Sequence, residues 1–300
     1  PEAVKPLKSD HPMVAGKYGY YWECHAGTVS MDLEAIWGMS VVIFPMVLQI
    51  SDDNRVRRLT LNRPLALNAF NDALYNAVTA ALRDSATDGD VAVVVLTGEG
   101  RAFSAGQDLG ELADGRSHEE RMSSGFEDFI ETLEAFPKPL IAAVNGIGVG
   151  IGLTLLPHCD FVFMAESAQL KAPFVSLGVS AEAGSSFLLP ATIGAAATAK
   201  LFYTADWMDA AEAVNCGLAT ATVPDAELLA AVDALAGKIA VMPVDALVAN
   251  KKLLLASRLD AIRAARARED VTFASLLGGP ANREAIAAFE EKRPADFSKI

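Results

Sequence analysis

The stretch that most constrains this chain is residues 91–98, VAVVVLTG, in which no polar side chain occurs before Thr97. A strand with one face in water alternates apolar and polar residues; an unbroken apolar run must be covered on both faces. PLIAAVNG (139–146) and CDFVFMAES (159–167) repeat the pattern. Parallel strands buried in this way need crossovers, and helical ones are available. NAFNDALYNAVTAALRDSATD sets Phe70, Leu74, Ala77, Val78, Ala81 and Leu82 at helical spacing, and an apolar helix is expected over about 150–156. MVLQI and RVRRLTLN read as a hairpin turning at Ser51–Asn54. From about Trp207 the chain reads as successive helices, with turns at Gly217–Pro224 and near Pro243. Strands with helical crossovers followed by helices make an α/β protein.

Residues 1–45 are unlike the rest: rich in Tyr, Trp, Gly and Met, without a clear period. They are expected to be an N-terminal extension, with the core over 46–240 and a C-terminal helical region over 241–300. The uncharged run AIWGMSVVIFPMVLQIS (35–51) is short for a membrane-spanning helix and is broken by Pro45. Asp32 and Glu34 precede it, the wrong flank for a signal peptide. No membrane association is expected. A net charge of −13 argues against nucleic acid as a partner. Cys24, Cys159 and Cys216 lie far apart, without CxxC spacing, and the 4 histidines form no HExxH motif. Neither a disulfide framework nor a metal site is expected.

Two glycine-rich loops offer chemistry. GEGRAFSAGQDLGEL (98–112) follows the first buried strand and leads towards a helix near Asp108. Its amides suit an anion or a developing oxyanion, or the segment is a plain strand-to-helix turn. NGIGVGIGLTLLPHCD (145–160) fails G-x-G-x-x-G, because Ile151 and Leu153 break the spacing. What remains is a strand exit feeding a helix whose first N–H groups are free, or glycines that allow close helix–sheet packing. Two amides converging on one carbonyl oxygen would stabilise an enolate or a tetrahedral species.

Glu182 is the only charged residue between Lys171 and Lys200. A carboxylate in an apolar pocket has a raised pKa, near that of a useful proton acceptor. The alternative is an acid at the start of the GSSFLL helix, favoured by the helix dipole. AFSAG (102–106) is one residue from the G-x-S-x-G nucleophile elbow. It stands several residues beyond its strand, and no histidine follows His158, so a serine hydrolase is disfavoured.

AFSAGQDL, KPLIAAVNGIGVGIG, CDFVFMAESAQLKAPF and LGVSAEAGSS, in this order and spacing, resemble the crotonase (enoyl-CoA hydratase/isomerase) superfamily. The resemblance runs from about Met46 to Ile300. It implies a core of ββα superhelical turns, C-terminal helices used in trimer or dimer-of-trimers assembly, and an acyl-CoA thioester substrate. No cofactor is implied beyond the coenzyme A of the substrate. It assigns the oxyanion hole to the N–H groups of Gln107 and Ile151. The two glutamates of the hydratases fall on Thr154 and Phe174. PFVSLGVSAEAGSSFLLP instead looks like the peroxisomal-type Δ3,Δ2-enoyl-CoA isomerases, with Glu182 at the catalytic position. The expectation is therefore an acyl-CoA double-bond isomerase. Hydration, thioester hydrolysis and acyl-CoA binding without turnover are the alternatives, and Asp108 and Glu111 are the nearest second acids. The resemblance also lines the substrate path with Ala66, Leu67, Ala105, Asp108, Phe174 and Leu177, and sets Phe289 and Lys292 at the adenine and phosphate end of coenzyme A. Leu65 replaces a basic residue common in the family, and Lys292 taken alone is an ordinary solvated helix charge. The C-terminal SKI differs from the S-K-L address in its last residue, and a cytoplasmic location is expected.

Overall fold

The computed structural model describes residues 14–16, 19–21, 46–108 and 125–300. Two compact units are present, Pro1–Pro45 and Met46–Ile300. Within the first, β1 (Val14–Gly16) and β2 (Gly19–Tyr21) form an antiparallel pair.

The second unit is built on a six-stranded sheet. In chain order its strands are β3 (Leu48–Asp53), β4 (Val56–Leu61), β5 (Val93–Gly98), β7 (Leu140–Val144), β9 (Phe161–Ala165) and β12 (Ala221–Val223). Their order across the sheet is β12-β9-β7-β5-β4-β3, parallel apart from the β3–β4 hairpin. The apolar runs are its centre: Val93, Val94, Val95, Leu140, Ile141 and Ala142 are fully buried. Each large aliphatic side chain removed from water there contributes about 1.5–3 kcal/mol.

A second sheet stands at one end of the first. It consists of β6 (Ala102–Ser104), β8 (Ile147–Val149), β10 (Gln169–Lys171) and β11 (Met208–Asp209), in the order β11-β10-β8-β6. A strand of the large sheet thus turns directly into a short strand of the small one: β5 into β6, β7 into β8, β9 into β10. This is the ββα superhelical turn. It carries the chain out of the core at the same end each time, so successive loops gather there.

The helices of the crossovers are α1 (Asp72–Thr87), α2 (Phe126–Glu134) and α3 (Ile151–Thr154). Asn71 caps α1 by accepting a hydrogen bond from the Leu74 N–H at 3.0 Å. Downstream come α4 (Ser185–Ile193), α5 (Ala195–Thr204), α6 (Ala210–Asn215), α7 (Leu228–Ala240), α8 (Val244–Ala256), α9 (Leu259–Leu276) and α10 (Pro280–Glu290). This is the architecture that the sequence resemblance implies.

Three details depart from the sequence reading. The hairpin turns at Asn54–Arg55, both left-handed (φ 46° and 67°), because the strands stay paired as far as Asp53 and Val56. The helix expected over 150–156 is the single turn of α3 followed by a 3-10 turn at Leu156–His158, where Pro157 lacks a donor. The Gly217–Pro224 segment contains β12, an edge strand too short to show a period. Of the uncharged 35–51 run, residues 35–45 lie outside the described residues and Leu48–Ser51 belong to β3. No helix among the described residues is long and apolar enough to cross a membrane.

Candidate active site

The first glycine-rich loop leaves β6 at Ser104 and is fixed from both sides. The Ala105 N–H donates to the Leu67 carbonyl at 2.9 Å, which joins Ala105 to the Ala66–Leu67 turn. Asn68, fully buried, supports that turn by donating to the carbonyls of Glu99 (2.9 Å) and Ala102 (2.7 Å). Gln107 pairs with Phe70 in an isolated parallel bridge. The bridge uses the Gly106 carbonyl, which accepts from the Phe70 N–H, and the Asp108 N–H, which donates to the Phe70 carbonyl. In a parallel pairing the flanking groups carry the bonds, so the N–H of Gln107 itself points away from Phe70. It has no acceptor among the described residues. The Gln107 side chain accepts from the Tyr75 hydroxyl at 2.8 Å and is drawn out of the way.

The second loop leaves β8 at Val149. Ile151 is the first residue of α3, so its N–H has no intrahelical acceptor. The loops touch: a Cβ on Gly106 (φ 97°) would lie 2.8 Å from the Val149 carbonyl oxygen. A Cβ on Gly150 would lie 3.9 Å from Gly106 Cα and 4.0 Å from Glu182 Oε1. The fold therefore brings together the residue before Gln107, the residue before Ile151, and the Glu182 carboxylate.

Glu182 keeps some accessible surface as a residue, but protein atoms surround its carboxyl group densely. Burial pushes that carboxyl up to about 8, helped by the negative charges of Glu269 and Asp270. Among the described residues the carboxylate has no ion pair and no hydrogen-bond donor. Nor does it cap the following helix. The N–H groups of Gly184 and Ser186, at the start of α4, donate to Glu269 Oε2 and Oε1, each at 2.6 Å. That place is taken by Glu269, so Glu182 makes no capping hydrogen bond to α4.

The remaining predicted residues are divided. Phe174 is buried edge-on against Phe202, with ring centroids 5.6 Å apart. Leu177 ends a 3-10 turn, and its carbonyl accepts from Asn282 Nδ2 of α10 at 2.8 Å, so the C-terminal helices are fastened to this wall. Phe289 and Lys292 stand exposed at the far end of α10, and the Lys292 amino group has no partner among the described residues. Asp108 is ion-paired: Arg63 Nη2 donates to its Oδ2 at 2.8 Å. Glu111 lies outside the described residues. Thr154 is fully buried, with its hydroxyl unpartnered. A cavity of about 580 Å³ between α1, α2 and α9, lined in part by Arg83, Glu134 and Arg266, includes none of these residues.

Sequence reasoning missed two residues, Glu269 and His158. Nothing local marks Glu269, since its partners lie more than 80 positions earlier. His158 Nε2 donates to the Ala183 carbonyl at 2.9 Å, and burial pushes the imidazole down to about 4, which keeps it neutral.

The family model for enoyl-CoA hydratase/isomerase matches residues 51–299. The chain belongs to this family. The 2,3-dehydroadipyl-CoA hydratase of Escherichia coli K12 is 36% identical over 250 residues, covering 83% of this chain and 98% of that protein. The rat enoyl-CoA delta isomerase 2 is 30% identical over 249 residues, 82% of this chain and 63% of the relative. A crystal structure of an enoyl-CoA hydratase/isomerase from Pseudoalteromonas atlantica T6c superposes with a TM-score of 0.79 at 35% identity, covering 84% of this chain and 99% of that one. Family membership makes this an enzyme of the enoyl-CoA hydratase/isomerase type and implies an acyl-CoA thioester substrate.

Proposed function

We propose that the protein is a Δ3,Δ2-enoyl-CoA isomerase working with one acid–base group, Glu182. The observation that carries the reading is the enclosed, unpaired Glu182 carboxylate beside Gly150, next to two outward amides. The C2 proton of a 3-enoyl thioester is acidified by both the carbonyl and the neighbouring double bond. Glu182 takes that proton, and the C2–H electron pair enters the conjugated system. The N–H groups of Gln107 and Ile151 hold the thioester oxygen as the dienolate forms. The Glu182 carboxyl then returns the proton at C4, and the double bond comes to rest between C2 and C3. A carboxyl titrating at about 8 suits both halves: basic enough to take the proton, acidic enough to give it back. Phe174 and Leu177 supply an apolar wall that limits access of water to the dienolate. Ala66, Leu67 and Ala105 line the pantetheine path, and Phe289 and Lys292 meet the nucleotide end of coenzyme A.

A second reading, hydration of a 2-enoyl thioester, is favoured by the 36% identity to a hydratase. Against it, Thr154 and Phe174 occupy the positions at which the superfamily resemblance sets the hydratase glutamates. Activating water and delivering a proton call for two such groups.

The deciding experiment follows conversion of 3-hexenoyl-CoA to the conjugated thioester by absorbance, beside hydration of crotonyl-CoA, in wild type and Glu182→Gln. Isomerisation that collapses in the variant supports the proposal. Hydration faster than isomerisation in the wild type, or a fully active variant, defeats it.

A further inference from the structure

We propose that Glu269, on α9, is a positioning residue for the base: its carboxylate holds the main-chain turn on which Glu182 stands. The inference rests on the reading of Glu182 as the base.

The turn has little support of its own. Ala183 and Gly184 both have positive φ, 61° and 72°, a conformation that costs an alanine of order 1 kcal/mol or more and persists only where surroundings impose it. Gly184 is the N-cap of α4 and has no side chain with which to satisfy the first amides. Those amides are instead taken by Glu269, which grips the N–H groups of Gly184 and Ser186, one on each oxygen, at 2.6 Å. Glu269 is itself 5% exposed, so the grip is formed out of water, where bonds to a charged acceptor are strong. From the other side His158 holds the Ala183 carbonyl. The Glu182 carbonyl is closed by the N–H and hydroxyl of Ser185 at 3.0 and 2.5 Å. The main chain beneath Glu182 is held at three points, and among the described residues its carboxylate makes no hydrogen bond.

A serine or asparagine would cap a helix as well, so the use of a carboxylate has a further effect. Glu269 adds a fixed negative charge near a base that must hold and release a proton. Among the described residues the other titratable groups facing Glu182 are few. Asp270 comes from α9, with Arg266 of the same helix acting on it; His158 is neutral; α3 and α4 carry no titratable side chain. The cations Lys251, Arg258 and Arg266 bear on His158. Glu269 is the larger of the two charge effects that burial of Glu182 leaves room for.

The test compares Glu269→Gln and Glu269→Ala with wild type and Glu182→Gln. Glu182 is titrated directly by NMR of ¹³C-carboxyl-labelled glutamate, its signal assigned by loss in Glu182→Gln. Glu269→Gln keeps one acceptor and removes the charge. Its Glu182 midpoint, and the acid limb of kcat, should move down by about one pH unit, a tenfold change, with KM within about twofold of wild type. Glu269→Ala should lower the plateau kcat by about tenfold or more per folded molecule. A Glu182 midpoint and pH profile unmoved in Glu269→Gln would reduce Glu269 to a structural cap and overturn the inference, even if Glu269→Ala fails to fold. Full activity of Glu182→Gln would instead defeat the base assignment, an outcome distinguishable because the NMR midpoint is read without turnover.

Discussion

Arg57 and Glu182 are both charged groups held among protein atoms, and they are treated in opposite ways. Arg57, on β4 and 7% exposed, is surrounded by acids: it forks onto Asp52 at 2.8 and 2.7 Å and reaches Asp84 at 2.5 Å and Asp88 at 3.1 Å. These bonds hold the guanidinium above its usual range and the Asp52 carboxyl below its own. Among the described residues Glu182 has no cation paired with it, and the charges that act on it are those of two more acids. Burial alone therefore does not define a site. Compensated burial ties β3, β4 and α1 together; uncompensated burial raises the pKa of Glu182.

The largest effect that would break this contrast is in the activity of Glu182→Gln. Its kcat should fall by about 10²–10⁴-fold while its thermal midpoint at pH 8 equals or exceeds that of the wild type, because an unpaired charge is removed. Lost stability in that variant would mean that Glu182 is structural.

Arg57→Ala should do the reverse. Denaturant unfolding should show a loss of about 2–3 kcal/mol, with kcat per folded molecule unchanged. The loss is held to that size because the orphaned Asp52 and Asp84 side chains, 51% and 69% exposed, can turn to water.

Gly106→Ala should disturb the site through the main chain, since its Cβ would press 2.8 Å from the Val149 oxygen at φ 97°. About 1–2 kcal/mol of stability and a 10- to 100-fold loss in kcat are expected, with acyl-CoA binding retained.

The smallest effects are slopes. The folded state raises the Glu182 pKa from 4.5 to about 8, so it binds more protons there than the unfolded chain, and Glu182 makes stability fall as pH rises through that window. Asp52 is shifted the other way: its contribution is present above its unfolded value of 3.8 and is lost as pH falls below it. A thermal midpoint measured against pH should fall less steeply between about pH 4.5 and 8 in Glu182→Gln, and should lose part of its acid slope in Arg57→Ala.

The buried strands were legible because hydrophobic cover on both faces leaves an unmistakable run, as in Val93–Leu96. The small sheet was not, because three-residue strands such as Gln169–Lys171 carry too little pattern to separate from a turn. The site divides in the same manner. Gly106, Gly150 and Glu182 were readable as departures from their surroundings: glycine where strands end, an acid in an apolar stretch. Arg63, which takes Asp108, and Glu269 and His158, which hold the Glu182 turn, were not. Each is an ordinary residue locally, and its role exists only in a contact made across the fold.

The two amides belong to the main chain. No substitution at Gln107 or Ile151, proline excepted, deletes an N–H, so the oxyanion hole we propose there is inherited with the topology itself. On that proposal, what remains open to change is which wall position supplies a carboxyl group, with Thr154, Phe174 and Glu182 as the three places the superfamily resemblance marks in this chain. Catalytic novelty in such a protein requires one new acid and no new backbone.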